Sequence, residues 1–155
     1  KAVIPIMRGQ GGGSIVCVSS VAAPISIPFQ SWYSVSKAAI TAYCAALAGE
    51  VKPFGIQVCA VLPGDIHTGF TDTREKSPVG DSIYCGRISH SVEAMERDER
   101  GGMDPKKAGR FICRIALKNH PAPIYTIGFK YKLFVLLSRI LPQRFVRKVV
   151  DKIYG

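Results

Sequence analysis

Apolar residues fall into two habits along this chain: short unbroken runs bounded by glycine or proline, and longer stretches at helical spacing. Ala2, Val3, Ile6 and Met7 share a helical face that Pro5 disturbs, so residues 1–10 read as the last part of a helix. Gly11, Gly12 and Gly13 end it. Residues 14–19 (SIVCVS) form a β-branched run, the pattern of a buried parallel strand. Residues 21–30, with Pro24 and Pro28, read as loop. Ser31 is placed to cap an alanine-rich helix running to about Val51, stopped by Pro53 and Gly55.

Residues 56–62 (IQVCAVL) repeat the buried-strand pattern and end at Pro63 and Gly64. A polar loop over 69–81 and a charged, exposed helix over 88–100 follow. Gly101 and Gly102 break that helix. Asp104 and Pro105 then supply an N-cap and a first-turn proline for a helix to about Leu117. Pro121 and Pro123 flank a turn into a third strand, 124–127. From Phe129 the chain is amphipathic and basic, split at Pro142. Strands alternating with helices predict an α/β fold around a parallel sheet. No internal repeat or domain boundary is visible, so residues 1–155 read as one unit: a sheet and helix region over 1–128 and a basic amphipathic tail over 129–155.

The chain has 155 residues, 47% of them hydrophobic, enough for one domain with a core. No apolar run reaches the roughly 18 residues of a membrane span, and no signal-peptide pattern opens the chain. Because the chain opens without methionine and inside a helix pattern, it is expected to be a fragment. The net charge is +10. The basic residues form no nucleic-acid reader motif, which argues against a nucleic-acid partner. Five cysteines lack CxxC spacing, and Cys17, Cys44 and Cys59 sit in apolar runs. The expectation is buried, reduced thiols, a cytoplasmic setting and no metal site. His67 reads as an incidental loop residue, and His90 and His120 as surface residues without metal partners.

The strongest local signal is Tyr33-Ser34-Val35-Ser36-Lys37. On a helix, i and i+4 share a face, and an ammonium beside a phenol favours the phenolate. Such a phenol can give a proton to a developing alkoxide or take one from an alcohol. A bare YxxxK is common, so its surroundings decide. Ser20 stands just past a predicted strand end, where ligands bind in open α/β sheets and a hydroxyl can donate to a carbonyl oxygen. The second strand ends in Leu62-Pro63-Gly64-Asp65-Ile66-His67-Thr68, where glycine permits close approach and Thr68 offers a hydroxyl.

Taken together, IVCVSS, YSVSK and VLPGDIHTGF at these separations resemble the classical short-chain dehydrogenase/reductase family over nearly the whole chain, as the C-terminal portion of its fold. The resemblance implies a partial, Rossmann-like, doubly wound parallel sheet with flanking helices and an amphipathic helical tail. It implies that Ser20 polarises the substrate oxygen, that Tyr33 is the general acid/base, and that Lys37 favours its phenolate and binds the nicotinamide ribose. Pro63, Gly64, Ile66 and Thr68 would contact the nicotinamide end, with NADP slightly favoured over NAD. The family's glycine-rich loop, cofactor selector and catalytic asparagine have no counterpart here. The isolated chain is therefore expected to be inactive.

The loop over 69–81 would start a substrate lid, and Phe70, Ile83 and Tyr84 are candidates for an apolar substrate pocket, or for packing that lid down. The helix bearing Tyr33 builds a homodimer interface in such enzymes. In the tail, Leu133, Phe134, Leu136, Leu137, Ile140 and Leu141 are interleaved with Lys130, Lys132, Arg139, Arg144, Arg147, Lys148 and Lys152. That pattern suits peripheral contact with an anionic membrane, or a cover over the pocket or a partner subunit. The tail and HTGF loop resemble the retinol, hydroxysteroid and ketosphinganine reductases, which implies a lipophilic alcohol or ketone. The alternative is a non-catalytic relative acting as a binding or membrane-associated module.

Overall fold

The computed structural model describes residues 2–76 and 79–155; of the predicted segments, Lys1 and residues 77–78 lie outside them. Helix α1 (Val3–Gly9) leads into β1 (Gly13–Val18), followed by α2 (Ser31–Val51) and β2 (Ile56–Pro63). Then come α3 (Arg87–Arg100), α4 (Pro105–Ala116), β3 (Ile124–Ile127), α5 (Phe129–Ile140) and α6 (Gln143–Tyr154). The three strands form one parallel sheet in the order β1-β2-β3, with Val18 opposite Val61 and Pro63 opposite Ile127.

β2 explains the architecture. As the central strand it is covered on both faces, and its side chains alternate between them. Ile56, Val58, Ala60 and Leu62 pack with Cys44, Leu47 and Val51 of α2, joined by Ile4 and Met7 of α1. Cys59 and Val61 pack instead with Ala108 and Ile115 of α4 and with Ile127. Two cores on opposite sides of one sheet are the doubly wound arrangement the sequence predicted.

Several local readings need correction. Ser31 is the first helical residue of α2; Gln30 occupies the cap position, without a side-chain cap bond. The predicted exposed helix over 88–100 begins at Arg87 and buries Ser91, Ala94 and Met95. Its capping partner comes from seven residues earlier: Asp81 accepts from the backbone N–H of Ile88 (3.0 Å) and Ser89 (3.2 Å). Those bonds, and the Ser89 hydroxyl's donation foremost, hold the Asp81 carboxyl below its ordinary range. Cys44 and Cys59 are buried, but Cys17 is only half-buried. Burial pushes the Cys44 thiol up to about 12. Asp104 caps α4 as expected, accepting from Lys106 N–H at 2.9 Å.

Glycine is required where the tail meets the sheet. A Cβ on Gly64 would overlap the ring of Tyr131 in α5. Gly64→Ala is expected to cost about 1–3 kcal/mol by overpacking. Urea unfolding checks this, and in a Tyr131→Ala background the same change should cost much less, because its clash partner is gone.

Candidate active site

The site is built at the carboxyl ends of β1 and β2. Beyond Val18 the strand pairing continues through Ser19 N–H to Val61 O (2.8 Å) and Val21 N–H to Pro63 O (3.0 Å). This extension fixes Ser20 between its neighbours, and Ser20 is only 8% exposed. Its Oγ accepts from Ala22 N–H at 3.1 Å. That bond orients the oxygen and leaves its own proton available for donation.

The start of α2 is stitched to the same strand end. Ser19 Oγ donates to Lys37 O at 2.8 Å and lies 2.8 Å from Thr41 Oγ1. Lys37 Nζ donates to Val18 O at 3.4 Å and stands 5.5 Å from the centre of the Tyr33 ring. The ammonium therefore sits between the strand end and the phenol one helical turn away.

Ser20, Tyr33, Lys37, Pro63, Gly64, Ile66, Thr68 and Phe70 all line one pocket of about 330 Å³. Thr68 Oγ1 accepts from Phe70 N–H at 3.3 Å. Ile66 bridges to Met103, and His67 N–H donates to Met103 O, which anchors the turn and leaves the exposed His67 ring outside the pocket. Ile83 and Tyr84 do not line the pocket; Ile83 is 80% exposed and Tyr84 packs edge-on against Phe29. His90 and His120 are exposed. Among the described residues no cluster of three His, Cys, Asp or Glu side chains is arranged to hold a metal.

Several lining residues were missed by sequence reasoning. Met95 and Glu99 arrive from α3 and Tyr154 from the last helical turn of α6. The loop after Phe70 is pinned to α3 by Arg74–Glu99 (2.6 Å), Arg100–Asp72 (3.1 Å) and Thr71–Glu99 (2.8 Å). Tyr154 donates to Asp98 Oδ2 at 2.8 Å, and Tyr131 donates to Asp65. Burial, and then the adjoining carboxylates, push both phenols above the ordinary tyrosine range. Nothing local in the tail's sequence marks these contacts, since their partners lie 56 and 66 positions away.

The chain belongs to the short-chain dehydrogenase family, whose model matches residues 1–78. It is 43% identical over 123 residues to the 3-ketodihydrosphingosine reductase of Bacteroides thetaiotaomicron, covering 78% of this chain and 46% of that protein. A short-chain dehydrogenase from Streptomyces avermitilis superposes with a TM-score of 0.68 at 26% identity, over 97% of this chain and 54% of that one. L-sorbose reductase from Gluconobacter frateurii, solved with NADPH and L-sorbose, superposes with a TM-score of 0.59 at 25% identity over 81% of this chain and 49% of its own. The chain spans about half the length of the curated relatives it matches.

Burial raises the Asp65 carboxyl, against the opposing pull of the Tyr131 hydrogen bond. A raised carboxyl binds its proton more tightly in the folded state, so this contribution is lost as pH rises through the folded value. Asp65→Asn keeps an oxygen for Tyr131 and removes the buried charge. It should unfold at higher denaturant than the unsubstituted protein at pH 7, with the gap closing below the ordinary value of 3.8. Denaturation at stepped pH measures this.

Proposed function

We propose that the protein acts as an NAD(P)-dependent oxidoreductase that interconverts a lipophilic alcohol and its ketone or aldehyde. The observation that carries this reading is the convergence of Ser20, Tyr33 and Lys37 on one pocket at the carboxyl edge of the sheet.

The residues present fit the nicotinamide end of the cofactor. One ammonium, one threonine hydroxyl and the backbone of a proline–glycine turn face a pocket of about 330 Å³. Lys37 has three N–H groups and spends one on Val18 O, leaving donors for ribose hydroxyls. Pro63, Gly64, Ile66 and Thr68 would border the carboxamide. When bound, the cofactor supplies or accepts the hydride. The solved relative with NADPH supports NADP over NAD.

The protein's own part is placement and proton transfer. Ser20 donates its hydroxyl proton to the substrate oxygen and holds it beside the phenol. Tyr33 gives its proton to that oxygen in reduction and takes it back in oxidation. Lys37 stabilises the negative charge that the phenol acquires. A lipophilic substrate is supported by the apolar Phe70 and Met95 in the pocket wall and by the 3-ketodihydrosphingosine reductase relative.

Two surfaces support partners. On α2, Trp32 is 84% exposed and Tyr43 is also exposed, consistent with a homodimer packed on this helix. On α5, Phe129, Leu133, Leu136 and Ile140 are exposed beside Lys130, Lys132 and Arg139, consistent with peripheral contact to an anionic membrane from the cytoplasmic side. Among the described residues no helix is long and apolar enough to cross a membrane.

In the intact enzyme, Tyr33→Phe is expected to lower kcat by about 10²–10⁴-fold with cofactor binding preserved. Turnover with reduced nicotinamide and cofactor titration by fluorescence separate the two effects. Unchanged turnover would remove the acid/base role.

A further inference from the structure

A second cavity, of about 500 Å³, lies on the far side of Ile27, which lines both it and the catalytic pocket. Its walls are the loop over 24–28, the first turns of α2 and the inward side of α6. Val35, Ala38, Val146 and Val150 give it an apolar lining, with Arg147 and Asp151 on the α6 side. Ser34 also lines it. That residue is 4% exposed, and its Oγ has no hydrogen-bond partner among the described residues. Buried hydroxyls are nearly always paired, so an unpaired one in a cavity wall offers a hydrogen bond to whatever enters the cavity.

The two cavities are adjacent by construction. Tyr33 and Lys37 form one i, i+4 stripe on α2, and Ser34 and Ala38 form the next stripe beside it. The reacting centre and the second cavity therefore face neighbouring stripes of the same helix, with Ile27 between them.

We propose that this cavity binds the hydrocarbon chain of the substrate whose carbonyl lies against Ser20 and Tyr33. The inference rests on the oxidoreductase reading above. It assigns the substrate class to long-chain, amphiphilic ketones or alcohols. The combined space lies within the range of about 300–1,000 Å³ usual for small-molecule sites. Val35, Ala38, Val146 and Val150 cover the chain, and the Ser34 hydroxyl meets an oxygen or nitrogen that the chain carries. α6 thereby becomes a specificity element, since Val146 and Val150 are its contribution to the cavity.

The test uses the intact enzyme, reduced nicotinamide and a homologous series of methyl ketones. In the unsubstituted enzyme kcat/KM should rise by about two- to fourfold per added methylene until the cavity is filled. Val146→Trp and Val150→Trp fill the cavity, and each should lower the ratio of the longest to the shortest ketone at least tenfold. Binding of a pyrene-labelled long-chain alcohol, followed without cofactor, reads the cavity independently of turnover and should weaken by a similar factor. A ratio and a probe affinity unchanged in both variants would overturn the proposal. So would loss of a concentration-dependent dimer in Val150→Trp with probe binding intact, which would assign the cavity to a second copy. Absence of any ketone turnover, with probe binding still weakened by the tryptophans, would instead sink the oxidoreductase reading and leave the cavity standing as a lipid-chain site.

Discussion

The arrangement depends on one short stitch between the end of β1 and the start of α2. Ser19 donates its hydroxyl proton to Lys37 O, and the Lys37 ammonium reaches back to the Val18 carbonyl. These two bonds run in opposite directions between the same two segments, so they fix the rotation of α2 as well as its distance from the strand. A turn of α2 by one residue, about 100° at 3.6 residues per turn, would carry Tyr33 away from Ser20 and bring Ser34 in its place. Ser19 is buried, so its bond works where water competes little, whereas the Lys37–Val18 bond is exposed.

The rigidity of that stitch comes from β2. A strand buried on both faces cannot slip its register by one residue without exchanging its two cores. Val61 and Pro63 supply the carbonyls that hold Ser19 and Val21, so the registration of the central strand passes directly to Ser20. Packing on the α2 side and packing on the α4 side therefore both contribute to where a single hydroxyl sits.

The sheet, the order of its elements and the residues of the pocket at the strand ends were legible because their signals are local. Uninterrupted β-branched runs, a proline–glycine turn and an i, i+4 pair each declare themselves within a few residues. What escaped was long-range. The α3 cap comes from Asp81 across a glycine turn, so Ser, Thr, Asp or Asn next to the helix start gave no clue. Ser31 looked like a cap by the same local rule and is not one. Ile83 and Tyr84 read equally as pocket lining or as packing, and the local sequence could not choose; Phe29, at positive φ, takes Tyr84 as its packing partner. Tyr154 could not be found at all from a tail that reads as a surface helix.

The tail's sequence left open contact with a membrane, a cover over the pocket and a cover over a partner subunit. In α6 the residues Val146, Val150 and Tyr154 are spaced by four and face inward: the valines line the second cavity, and Tyr154 lines the catalytic pocket and bonds to Asp98. Phe145, Val149 and Ile153 have the same spacing one position away, and all three are exposed. One helix thus presents two adjacent apolar stripes, one facing the body and its two cavities and one facing outward. The Asp98 and Asp65 hydrogen bonds hold α6 and α5 against the body from the inside, so exposing the outer stripe does not require the tail to leave. Covering the site and meeting a lipid surface are compatible because they use different faces of the same two helices.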